Sequence, residues 1–485
     1  MNETGPQTSD GELSGTKRIA FGAGPLFGLL VWTLMRGSGL EQAPSLTAGI
    51  ACWVAVWWVF EPISIPATSM IPFVAFPMSG VLSNKEVAQA YGHWLILLLL
   101  GGFLLSAGME KSGVHRRIAL GMMKGIGLGG PTKIILGMML STWLLSGWIS
   151  NTATTLMMLP VALALCERFT SLKTKQALLL GIAYAASIGG IATPIGTPPN
   201  VVLMGIYEET TGLELSFSSW LSFGYPLALA LVAVAWWLLV RSLEPADQVI
   251  PTHPSAISAG EDLGPMTSQE KRVLGIFGIT ALAWITRKEP FGGWSGFLGL
   301  PTMGDDSIAL AAALAFFVIP SGPDTSKRLL DWETAKRIPW GLLLLFGGGI
   351  AIAKAFAASG LSTMIGSLLT PLATVPLIIA TLSICFVVTF LTEITSNTAT
   401  TTLLMPILAA AAIASDLDPL LLMIPAALSA SCAFMLPVAT APNAVVYGSG
   451  LLPVAVMAQT GVRLNLLAVL VITLGLSLKA SLSGM

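Results

Sequence analysis

The six residues Ser-Asn-Thr-Ala-Thr-Thr occur twice in this chain, at 150–155 and at 396–401, each inside a long apolar stretch. Hydrocarbon offers hydroxyl and amide groups no hydrogen-bond partners, so a polar hexad in such a place is costly. Two copies at matching positions point to an internal repeat with a binding site between them. The register extends beyond the hexad. At a shift of 246, Trp94 meets Trp340, Gly101-Gly102 meets Gly347-Gly348, Ser146 meets Thr392 and Pro160 meets Pro406. Further on, T-P-I-G-T-P-P-N at 193–200 meets P-V-A-T-A-P-N at 437–443, now shifted by 243.

The chain is 54% hydrophobic and 10% charged, with a mean hydropathy of +0.80. Soluble domains carry about a quarter charged residues, so this composition is that of an integral, all-α polytopic membrane protein. A net charge of −1 gives no reason to expect a nucleic-acid partner. The cysteines Cys52, Cys166, Cys385 and Cys432 lie in apolar segments without C-x-x-C spacing, and read as small buried hydrophobes. No H-E-x-x-H, Walker A or G-x-S-x-G pattern occurs, so neither a membrane protease nor an ATP-driven pump is supported, and no enzyme is expected. No cofactor is expected beyond coupling ions.

Apolar runs near the roughly 20 residues of a spanning helix lie at 19–36, 46–63, 65–82, 92–109, 176–207 (interrupted), 219–240, 272–286, 306–320, 339–357, 419–447 (interrupted) and 464–482. The runs 134–167 and 374–414 differ, because each carries its polar hexad in the middle. Both read as re-entrant hairpins, two half-helices with a polar tip buried in protein. Arg116, Arg117, Lys124 and Lys133 precede the first, and Arg168, Lys173 and Lys175 follow it, so its mouths are expected on the cytoplasmic side. No Lys or Arg lies in 358–373, and Asp416 and Asp418 follow the second, whose mouths are expected outside. With a cytoplasmic N-terminus, 18 of the 24 Lys and Arg fall inside and five (Arg36, Lys85, Arg287, Lys288, Lys479) outside; Lys354 lies within a span. Pairs of ordinary spanning helices would give the same loop sides; the polar tips favour hairpins.

The expected organisation is a cytoplasmic tail at 1–16, a first repeat at 17–241, a Pro-rich cytoplasmic linker at 242–270, and a second, inverted repeat at 271–485. Inverted repeats with broken helices are the mark of secondary transporters, whose site lies where the breaks meet. Each tip offers a hydroxyl five residues before its Asn (Ser146, Thr392), then Ser-Asn-Thr at the break. Such oxygens suit a hard monovalent cation such as sodium. The following Thr-Ala-Thr-Thr starts a half-helix whose free N–H groups suit an anion. No arginine lies near either hexad. A lone S-N-T reads as helix–helix glue; two copies, each with a Pro-broken partner, read as half-sites. Glu393, where the first copy has Gly147, reads as structural because the repeat does not reproduce it. Lys354 is expected to snorkel or to pair with an acid. Trp53, Trp57, Trp58, Trp236 and Trp237 read as interface anchors.

The paired S-N-T motifs and T-P-P-N-like elements resemble those of the divalent anion:sodium symporter family, over nearly the whole chain. The resemblance implies eleven transmembrane helices, two re-entrant hairpins, a homodimer in the inner (plasma) membrane bilayer, and scaffold and transport domains that move as an elevator. It implies sodium ligands at Ser146, Ser150, Asn151 and Gly196, and at Thr392, Thr395, Asn397 and Ala439, several through backbone carbonyls. Substrate carboxylates would meet Ser150, Asn151 and Thr152, then Ser396, Asn397 and Thr398, with Thr197 and Thr440 closing the site. Ala441 departs from the usual T-P-P-N. The expected function is sodium-coupled import of C4-dicarboxylates such as succinate, malate or fumarate. A sodium-independent dicarboxylate exchanger, a sulfate or citrate transporter, and an ion channel are the alternatives.

Overall fold

The computed structural model describes residues 15–127, 129–241, 243, 264–288, 292–300, 302–369 and 375–483. Residues 1–14 of the expected tail, residues 242 and 244–263 of the expected linker, and Thr374 lie outside the described residues. The described chain is almost wholly helical. Among the described residues, seven helices are long and apolar enough to cross a bilayer, including Gly15–Gly37, Gln42–Phe60, Phe217–Val240 and Trp340–Ala358.

Helices recur in the same order in both halves. Trp94–Ser112 corresponds to Trp340–Ala358, Pro131–Ser146 to Leu377–Leu391, and Asn151–Cys166 to Asn397–Ala414. Leu172–Ile191 and Pro198–Thr211 correspond to Leu420–Ala430 and Ala441–Tyr447. Each half therefore contains a helix pair broken at its hexad and a second pair broken at its proline element. Proline dictates where the later members begin: Pro198, Pro199 and Pro442 occupy first-turn positions, where no N–H partner is needed.

The Leu172–Ile191 helix is the centre of the molecule. All of Gln176–Ile191 is buried, so apolar and small residues surround the helix instead of forming a stripe. Ala and Gly on this helix let its neighbours approach closely. A Cβ on Gly190 would lie 2.9 Å from the Asn151 side chain, and one on Gly196 would lie 2.6 Å from the Gly190 carbonyl.

The run 65–82 does not form one spanning helix. It divides into Ile65–Thr68 and Ile71–Ser79. Pro66, Pro72 and Pro77 each remove a backbone donor, and the break is stitched by side chains. Ser69 Oγ donates to the Ile65 carbonyl at 2.7 Å and accepts from Trp58 Nε1 at 2.9 Å. Trp58 is consequently a core residue with no exposure, and Trp57 is 7% exposed with its Nε1 on the Ala20 carbonyl. These two tryptophans are packing residues, not interface anchors. Trp237, 49% exposed beneath Arg241, keeps an outward position. Lys354 pairs with Glu209 at 3.6 Å, joining Trp340–Ala358 to the end of Pro198–Thr211.

Candidate functional site

The first broken pair ends its leading helix at Ser146 and restarts at Asn151; the second ends at Leu391 and restarts at Asn397. Both breaks reach one cavity of about 1010 Å³. Ser150, Asn151 and Thr152 line it from the first tip, and Gly196 and Thr197 from the first proline break. Thr395, Ser396, Asn397 and Thr398 line it from the second tip, and Ala439 and Thr440 from the second break. Only Ser146 and Thr392, of the expected site residues, stand behind the wall, both without exposure.

Those two meet the asparagines. Ser146 Oγ lies 2.6 Å from Asn151 Oδ1 and 2.7 Å from the Ala186 carbonyl. Thr392 Oγ1 lies 2.6 Å from Asn397 Oδ1 and 2.9 Å from the Ala430 carbonyl. A hydroxyl carries one proton, so it can donate to only one of its two acceptors. Each tip thus gathers three oxygens with one shared proton, an arrangement complementary to a cation.

The helices that restart at Asn151 and Asn397 present first-turn N–H groups, which lack partners within the helix. Ser396 Oγ accepts from Ala399 N at 3.4 Å, whereas Ser150 makes no such cap. Thr395 spends its hydroxyl locally, on the Leu391 carbonyl at 2.8 Å and with Thr400 Oγ1 at 2.7 Å. The charged residues Glu61, Glu110, Lys111, Arg337 and Glu393 also line the cavity, whereas the two tips bring no cationic side chain of their own.

A family model, the sodium:sulfate symporter transmembrane region, matches residues 22–481. The chain belongs to this family. It is 39% identical over 465 residues to the sodium-dependent dicarboxylate transporter SdcS of Staphylococcus saprophyticus, covering 93% of this chain and 89% of that one. It is 38% identical over 480 residues to SdcS of Staphylococcus aureus strain USA300, covering 94% and 92%. Among solved structures, the YdaH transporter of Alcanivorax borkumensis aligns with a TM-score of 0.60 at 12% identity, over 82% of this chain and 88% of that one. MtrF of Neisseria gonorrhoeae, an antimetabolite efflux pump, aligns at 0.58 and 13%, over 90% and 94%. These two likenesses concern the fold alone.

Several residues of this symporter-family chain do work that sequence reasoning did not assign. Asn200 Nδ2 donates to the Gly190 and Thr193 carbonyls at 2.9 and 2.7 Å, closing the first proline break. Asn443 Nδ2 repeats this with Ala433 and Leu436 at 3.1 and 3.0 Å. Ser187 and Ser431, at corresponding positions beside Ala186 and Ala430, line the cavity as buried hydroxyls without a partner among the described residues. The signal for all four was the repeat register, since each pair is offset by 243 or 244. What the register lacked was a reason to prefer these polar residues over others in the same helices.

Proposed function

We propose that the chain is a secondary transporter that imports C4-dicarboxylates such as succinate, malate or fumarate with sodium, by alternating access. One observation carries this reading: the hydroxyl–asparagine–carbonyl cluster appears twice, and both copies serve one cavity. The names of the SdcS relatives favour the same cargo. Sodium occupies the Ser146, Ser150, Asn151 and Gly196 set, and the Thr392, Thr395, Asn397 and Ala439 set. The two carboxylates of the substrate lie against the first-turn N–H groups at Ser150–Thr152 and Ser396–Thr398, with Thr197 and Thr440 closing over them. Sodium binds first, orders the tips and supplies the positive charge that the tips themselves lack.

The same proposal places the N-terminus in the cytoplasm of a plasma-membrane homodimer, with eleven spans of which 65–82 crosses as a broken pair of short helices, two re-entrant hairpins and an elevator movement of transport domain against scaffold. Lys111, Thr334 and Arg337 line the cavity with the tips, so its mouth faces the cytoplasm in that orientation.

The test is succinate uptake by proteoliposomes with sodium, lithium or potassium outside, and with unlabelled sulfate and citrate as competitors. Saturable uptake that requires sodium supports symport. Uptake only into dicarboxylate-preloaded, sodium-free liposomes would select an exchanger, and ohmic current without accumulation would select a channel.

A further inference from the structure

The two tips share their hydroxyl–asparagine geometry but are anchored by different means. At the first, the Gly147 carbonyl accepts from the Thr193 hydroxyl, and Trp148 stacks over Trp284 with ring centroids 6.5 Å apart. The corresponding positions of the second tip hold Glu393 and Ile394, and Ile394 is 73% exposed. Glu393 is 3% exposed. Its Oε1 accepts from Phe434 N at 2.8 Å, Met435 N at 2.9 Å and Asn465 Nδ2 at 2.8 Å. Its Oε2 accepts from Leu436 N at 3.1 Å. Asn465 Oδ1 returns to Phe434 N at 3.3 Å, so carboxylate and carboxamide grip the same peptide. All four partners of Glu393 are donors, the complement of a carboxylate that only accepts.

The three peptide groups belong to the unwound segment that follows Leu420–Ala430 and carries Ala439 and Thr440 to the cavity. Glu393 also lines that cavity and directly follows Thr392, whose hydroxyl meets Asn397 Oδ1. We propose that Glu393 is a positioning residue of the second half-site, and the fixed charge that makes occupancy by the dianion depend on sodium. The inference rests on the sodium-coupled reading above. The carboxylate holds the segment 434–436 and so orients the backbone oxygens offered to the cation. Its charge attracts that cation and opposes a dianion until the cation is bound, through a wall where Coulomb interactions are weakly screened. The first half-site, anchored by neutral contacts, carries no such condition.

Glu393→Gln keeps the shape, removes the charge and turns one acceptor into a donor facing backbone N–H groups. Asn465→Ala keeps the charge and removes one arm of the grip. Each purified variant is titrated with sodium while its thermal midpoint is followed, and is then assayed for succinate uptake across sodium concentrations. Relative to wild type, Glu393→Gln is expected to raise the half-saturating sodium concentration about tenfold in both assays. It is also expected to raise sodium-free succinate uptake above background, which a merely structural defect would not do. Asn465→Ala is expected to shift sodium half-saturation in the same direction by about threefold, without sodium-free uptake. Sodium half-saturation within about twofold of wild type for Glu393→Gln would overturn the proposal. So would loss of folded protein in Asn465→Ala, which would assign the pair to stability alone. If wild type itself gains no thermal protection from sodium and shows no sodium-driven uptake, the sodium-coupled reading fails. If wild type responds and Glu393→Gln matches it, this inference alone fails.

Discussion

At the scale of single residues, the proposed site turns on Asn151 and Asn397, whereas Asn200 and Asn443 hold the local structure. Asn151→Ala or Asn397→Ala removes the side-chain oxygen that meets Ser146 or Thr392. Each is expected to abolish sodium-dependent succinate uptake while the protein still elutes as folded material on size exclusion; wild-type-like uptake by either would remove it from the site. Asn200→Asp and Asn443→Asp are different in kind. Each replaces an NH₂ group with an oxygen that faces two carbonyls. A buried acceptor set against acceptors costs about 1–3 kcal/mol, so the thermal midpoint is expected to fall measurably in either variant, with or without sodium. The S-N-T asparagines were legible in the sequence because their motif is repeated without change. Asn200 and Asn443 were visible only as part of a proline element, and their carbonyl partners are set by how the preceding helix ends.

At the scale of elements, the positions of the four helix breaks follow from local chemistry. Polar hexads interrupt two apolar runs, and prolines remove the donors that would continue two others. The restarts at Asn151, Pro198, Asn397 and Ala441 obey that logic. So does the division of 65–82, where three prolines outweigh an apolar composition long enough to span. The contact between the first tip and the central helix demands more than sequence rules state. Gly190→Ala would bring a Cβ to 2.9 Å from Asn151, and Gly196→Ala one to 2.6 Å from the Gly190 carbonyl. Backbone cannot yield as a flexible side chain can, so Gly196→Ala is expected to lose most transport, measured as maximal uptake rate at saturating sodium. Gly190→Ala is expected to show the same direction with a smaller loss.

At the scale of the whole molecule, one cavity connects the two halves, and its mouth defines which side the substrate leaves or enters in this conformation. Val438 lines it and is 82% exposed, while Cys166, Cys385 and Cys432 are buried and Cys52, which is partly exposed, is first replaced by Ala. Val438→Cys is expected to react with a membrane-impermeant thiol reagent added to the cytoplasmic face of inside-out vesicles, to be protected by succinate with sodium, and to be spared in right-side-out vesicles. Labelling from the outside alone would reverse the assigned orientation. The sequence by itself determined the membrane class, the repeat and the pairing of each hexad with a proline break, because solvent cost and backbone hydrogen bonding act on local composition and periodicity. Only the tertiary structure decided that Ser146 and Thr392 lie behind the wall, that Trp58 belongs to the core, and that Glu393 grips the segment 434–436. Those outcomes depend on which groups meet across 11 to 72 positions of chain, and a buried polar group is defined by its partners rather than by its neighbours in sequence.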